Sequence, residues 1–182
     1  MPSQLAELVA HFRVHATATE ALTAWCATHL KQRATAIVVR VLADDEADHA
    51  SYSGPLVISK SERLRYRKVQ LRWGDTTVSE AENWYLPDRL PQVMRTRLLT
   101  DFVPFGEVVR DLQPDRRMVA MYSPDDLESG NLGTEPAMRR PDEVEGFSPL
   151  EHFILHVRAV MVTAAGVFIA DLREHYRQEL LA

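Results

Sequence analysis

The sequence predicts an α+β fold, an antiparallel β-sheet flanked by helices. Three observations predict it. Strand-like stretches follow one another at 57–59, 65–73 and 78–86 with no helix between them, whereas a parallel sheet needs a crossover helix after each strand. Glycine-bearing turns, Gly74-Asp75 and the TAAG of 163–166, join neighbouring stretches as hairpins. Helical spacing of apolar residues is confined to a few segments, mainly near the start of the chain and at 90–99.

Each element has its local reason. Ser3 to Arg13 sets Leu5, Leu8, Val9 and Phe12 at helical spacing. Thr19 to Gln32 is a stronger helix, with Thr19 as its expected N-cap, Glu20 in the first turn and Leu22, Trp25 and Cys26 on one stripe. Ala36 to Leu42 is β-branched and reads as a strand, with an acidic loop from Asp44 to Ala50 behind it. Three strands follow, at Val57–Ser59, Arg65–Trp73 and Val78–Leu86, and Pro87 ends the run. Leu90 to Leu99 is a helix. VPFG at 103–106 leads into a short helix or turn over Glu107–Leu112, and Met118 to Tyr122 is a further strand. Residues 123–150 carry Pro124, Pro136, Pro141 and Pro149 with Gly130, Gly133 and Gly146, and read as a loop or lid insertion. Residues 153–162 and 167–172 form the last hairpin, and EHYRQELL ends the chain as a helical turn. The expectation is one domain over residues 1–182, interrupted by the 123–150 insertion.

Composition narrows the function. The chain has 182 residues, 46% hydrophobic and 26% charged, as a globular protein does. A formal net charge of −5 argues against a nucleic-acid partner, and no basic recognition helix stands at the start. No apolar run is long enough to span a membrane, and the N-terminus lacks the basic start of a signal peptide. With Cys26 as the one cysteine, neither a disulfide framework nor a multi-cysteine zinc site is expected, and the expected location is the cytoplasm. Oligomeric state is not legible.

Phosphate-loop, dinucleotide, zinc-protease and serine-hydrolase motifs are absent. His11/His15 and His152/His156 have i,i+4 spacing, but no carboxylate motif accompanies either pair, so no metal and no cofactor is expected. Glu80 and Glu82 alternate with Ser79 and Ala81 and read as a solvated strand face.

Two residues break the pattern. In RLRYRKVQLRWG (63–74), alternation puts Arg67 on the side of Val69, Leu71 and Trp73. A guanidinium buried there requires a carboxylate, either from the protein or from a ligand held by the planar fork. In VFIADL (167–172), Asp171 sits in a strand with apolar residues on both faces. It is either a buried acid or a residue solvated at the strand end.

The order of these pieces resembles the chorismate lyase (chorismate–pyruvate-lyase) family. The matching stretches are YRKVQLRWGDTTVSEAENWYLP at 66–87, VPFGEVV at 103–109 and RAVMVTAAGVFIADL at 158–172, with TEALTAWCATHL at 19–30 as the first ligand-contacting helix. The resemblance implies an antiparallel sheet flanked by helices, a fold also used by effector-binding domains of some helix-turn-helix repressors. It implies elimination of pyruvate from chorismate, or a related enolpyruvyl acid, to give a hydroxybenzoate such as 4-hydroxybenzoate. That reaction needs no cofactor and belongs to ubiquinone biosynthesis. The family's carboxylate-binding arginine falls on Arg67 and its catalytic acid on Asp171. Phe105 and Gly106 fall on its turn, and Cys26 on a ligand-contacting position of the first helix. The aspartate stands where the family has glutamate, which draws the carboxylate back by roughly 1.5 Å. Two other readings stand beside the lyase: a non-catalytic domain that binds a small aromatic carboxylate, and a structural domain in which Arg67 and Asp171 pair.

Overall fold

In the computed structural model, residues 3–100, 102–130, 132 and 138–182 are described. The described residues form a six-stranded sheet of β1 (Ile37–Ala47), β2 (Leu64–Trp73), β3 (Thr76–Tyr85), β4 (Asp115–Tyr122), β5 (Phe153–Val162) and β6 (Phe168–Arg177). Every pairing is antiparallel and the spatial order is β1-β2-β3-β6-β5-β4. The helices are α1 (Gln4–Val14), α2 (Ala18–His29), α3 (Gln92–Thr100), α4 (Phe105–Val108) and α5 (Pro124–Ser129). The α+β class is as expected. No helix among the described residues is long and apolar enough to cross a membrane.

The two hairpins turn where glycine permits a left-handed backbone. Gly74 has φ +56° between β2 and β3, and Gly166 has φ +79° between β5 and β6. Some boundaries differ from the expectation. The cap of α2 is Thr17, whose hydroxyl accepts from the Glu20 amide, and Thr19 lies inside the helix. Val57–Ser59 is not a strand. β1 runs on through Asp44–Ala47 because β2 supplies a full ladder of partners out to Leu64. β6 likewise runs to Arg177, paired on both sides, so Glu174–Tyr176 are strand and only Gln178–Leu181 make a helical turn. Within 123–150, the described residues hold α5 and a small cluster of Tyr122, Leu127, Met138 and Leu150. Residues 131 and 133–137 of that expected insertion lie outside the described residues.

Residues opposite each other in an antiparallel pair share a face. One ladder runs Arg67–Asn83–Leu172–Ala159–Met118 and its neighbour runs Tyr66–Trp84–Asp171–Val160–Arg117. The two faces are therefore distinct. The first packs on the helices, burying Leu8, Phe12, Leu22, Trp25, Phe105 and Val108 against Val69, Leu71, Ala159 and Met161. The second is covered by the chain around Tyr52 and by residues 138–152. There the Ser148 amide and hydroxyl each donate at 2.8 Å to Glu80, Arg139 pairs with Glu82 at 2.5 Å, and Phe147 packs on His175.

The second face carries a buried polar layer. Glu80, Glu82, His156, Arg158, Asp171 and His175 are all fully buried. Glu80 and Glu82 are thus not a solvated face. Alternation shows which residues point together, and only the covering segments decide whether that side is wet.

Candidate functional site

The helical face encloses a cavity. Its floor is built from cross-strand rows: Arg67 and Val69 of β2, Ala81 and Asn83 of β3, Leu172 and Glu174 of β6. Arg116 and Met161, themselves a pair across β4 and β5, form one side. The roof is the start of α2, Thr17 to Thr19, and the Pro104-Phe105-Gly106 turn that opens α4. The two roof pieces are in close contact. A Cβ on Gly106 would stand 3.0 Å from the Thr17 Cβ, so glycine is what lets them meet.

Arg67 is 1% exposed. Its Nη2 donates to the Val103 carbonyl at 3.4 Å, and its Nε lies 3.8 Å from Asp44 Oδ2, too far for a hydrogen bond. Nε and Nη1 have no acceptor. Asp44 Oδ1 accepts from Arg65 Nε at 2.9 Å and from the Tyr85 hydroxyl at 3.3 Å, while its Oδ2, the oxygen nearest Arg67, is buried without a hydrogen-bond partner among the described residues. Burial lowers the pKa of Arg67, and Arg65 adds to the shift; Asp44 and Tyr85 oppose it.

At the other side, Arg116 reaches across β5 to bond Glu174 Oε2, which also accepts from the Tyr176 hydroxyl at 2.9 Å. The Glu174 charge is among the causes that raise the pKa of Arg116. Arg116 Nε is buried with no acceptor. The cavity thus faces two guanidiniums and one carboxylate. This arrangement suits an anion.

Three of the residues singled out in the sequence come together here: Arg67, Phe105 and Gly106 line the one cavity. Phe105 is held by the Tyr85 ring at 5.4 Å between centroids. Asp171 and Cys26, also singled out in the sequence, do not line this cavity. Asp171 points to the opposite face, where Arg158 Nη2 lies 3.2 Å and the Tyr52 hydroxyl 3.0 Å from its Oδ2. An Arg67–Asp171 pair is excluded by the same geometry. Cys26 lies eight residues into α2, roughly 12 Å along the axis from the cavity end. It is fully buried in the apolar core, and burial pushes its thiol up to about 12.

Sequence reasoning missed Glu174, Arg116, Asn83, Thr17 and Thr19. The signal for Glu174 was present. Once the last strand is carried to Arg177, Leu172, Glu174 and Tyr176 alternate on Arg67's side of the sheet, while Asp171 and Arg173 take the other. Ending the strand at Leu172 hid that parity.

No family model matches the chain. It is similar to an uncharacterized protein of Sinorhizobium fredii, 36% identical over 110 residues that cover 59% of this chain and 46% of that one. The match thus spans about half the length of that curated relative. Among solved structures, PhnF from Mycobacterium smegmatis aligns with 91% of this chain and 65% of its own, at 18% identity and a TM-score of 0.50. The chain shares its fold with PhnF. A ligand-binding domain from Bordetella bronchiseptica, assigned to a GntR-family transcriptional regulator, is similar at 14% identity and a TM-score of 0.48, over 81% of this chain and 86% of its own. A GntR-family transcriptional regulator from Enterococcus faecalis is similar at 11% identity and a TM-score of 0.46, over 77% of this chain and 93% of its own. At 18% identity the likeness to PhnF is one of fold.

Proposed function

We propose that the chain is a binding domain for a small organic carboxylate, with the ligand's carboxylate held by Arg67. The observation that carries this is the guanidinium itself: 1% exposed, at the wall of a cavity, with Nε and Nη1 lacking any acceptor. A buried charged donor without an acceptor is costly. A ligand carboxylate would take the Nη1 edge, shared with Nη2, in the bidentate geometry that guanidinium favours. Phe105 lines the same cavity, and Gly106 lets the roof come close to Thr17.

Catalysis as a chorismate–pyruvate lyase is the second reading. One observation favours it: Glu174 brings a carboxylate into the same cavity as Arg67, the pairing the resemblance had assigned to Asp171. Glu174 is tied to Arg116 and Tyr176, which suits a positioning role better than proton transfer.

Thermal unfolding with 4-hydroxybenzoate and with chorismate tests both readings, with Arg67→Met as control. Binding raises Tm in the parent and not in the variant. Release of 4-hydroxybenzoate and pyruvate from chorismate, lost in Arg67→Met, would establish the lyase instead. Equal protection of parent and variant would refute the role of Arg67.

A further inference from the structure

We infer that the cavity at Arg67 seats only the ligand's charged head, and that the ligand's body lies in a groove between α2, β1 and residues 102–110. The inference rests on the carboxylate-binding reading above and specifies its ligand: an amphipathic monocarboxylate with an extended apolar tail.

Size is the first reason. The cavity volume is about 40 Å³. A water needs roughly 10–15 Å³ on this measure, so there is room for about three, the heavy-atom count of a carboxylate. An aromatic ring needs a cavity on the order of 150 Å³. A whole ring with substituents does not fit beside Arg67.

Continuity is the second reason. A groove of about 450 Å³ adjoins the cavity, and Thr19 and Pro104 line both, forming the neck between them. That volume is typical of a small-molecule site. Ala36, Ile37, Phe102, Val103 and Pro104 give the groove its apolar wall, and Arg97, Glu107 and Arg110 are its charged members. Phe102 is 73% exposed, a large apolar side chain standing in water beside the cavity. At the outer end Arg110 is bonded to Glu107, so the pair adds little net charge to the path. The charged half of the site is buried and the apolar half is open, which matches a molecule that enters head first.

The test is calorimetric binding of straight-chain monocarboxylates from acetate to octanoate, with 4-hydroxybenzoate alongside, to the whole chain. Affinity should rise with length, by up to about fourfold per methylene where each is fully buried. The rise should be flattened in Phe102→Asp, which sets a charge in the groove at an exposed position. Affinity independent of length would overturn the inference while leaving the carboxylate site in place. A rise undiminished in Phe102→Asp would overturn it too, since the tail then lies elsewhere. Long acids that bind Arg67→Met as well as the parent would mark non-specific apolar adsorption, again against it. If neither the acids nor 4-hydroxybenzoate bind at all, the underlying carboxylate reading is the one that fails.

Discussion

Replacing Arg67 with methionine should leave the ligand-free protein as stable as the parent or more so. An ordinary buried ion pair behaves otherwise. Removing one partner strands the other charge and costs about 3–5 kcal/mol. Here Asp44 keeps Arg65 and the Tyr85 hydroxyl on its Oδ1, and its Oδ2 has no hydrogen bond to lose. Arg67 has two donor nitrogens with no acceptor, and each such orphan costs roughly 1–3 kcal/mol. Against this stands its attraction to Asp44 at 3.8 Å, about 4 kcal/mol between unit charges at an effective dielectric of 20, itself offset by repulsion from Arg65. The depressed pKa gives the sign of the balance: the folded state holds this charge less well than water does. Methionine keeps much of the volume and removes the charge, so the variant should gain between zero and about 3 kcal/mol. For a chain of this length that is a rise in Tm of up to roughly 10 °C. Equilibrium unfolding in urea measures it, and thermal shift with 4-hydroxybenzoate should show ligand protection lost in the same variant. A loss of 3 kcal/mol or more, with ligand binding intact, would show that Arg67 is a structural ion-pair member and refute the reasoning.

Two further outcomes follow from the second face. The Tyr52 hydroxyl donates to Asp171 Oδ2 at 3.0 Å and accepts from the Leu56 amide at 3.1 Å, so Tyr52→Phe should cost about 2 kcal/mol in urea unfolding. Ligand protection should survive in it, since Tyr52 lies across the sheet from Arg67; its loss would contradict the separation of the faces. His156 and His175 share one hydrogen bond, Nδ1 to Nδ1 at 2.7 Å, and burial lowers His156 from 6.5 to about 4 and His175 in the same direction. Between those values the unfolded chain takes up a proton that the folded chain refuses, so stability falls as pH falls. His156 alone should lose about 2 kcal/mol between pH 7 and pH 5, and the slope should shrink in His156→Gln.

The same pairing of faces explains what could be read from the chain and what could not. Local chemistry is written locally. The α+β class, both hairpins with their glycines, α1 to α3 and the strands from 64 to 85 follow from spacing and turn residues within a few positions of each other. So does the anomaly of Arg67, because its neighbours on alternate positions are valine, leucine and tryptophan. Strand ends are different. β1 and β6 extend beyond their apolar runs because partners on neighbouring strands hydrogen-bond polar residues into the ladder, and that pairing joins residues far apart in sequence. Asp171 stands apart from Arg67 for this reason: Asp171 and Glu174 lie three positions apart on one strand, an odd interval that puts them on opposite faces, and Glu174 is the one on Arg67's side. Burial of Glu80, Glu82 and the histidine pair was equally out of reach, since it depends on distant segments folding over the sheet. Composition and alternation alone determined that a guanidinium would point into an apolar interior. Only the tertiary structure decided that, among the described residues, no carboxylate hydrogen-bonds its free N–H groups: Asp44 Oδ1 is drawn to Arg65 and Tyr85, its Oδ2 stops 3.8 Å from Arg67 Nε, and Asp171 faces away.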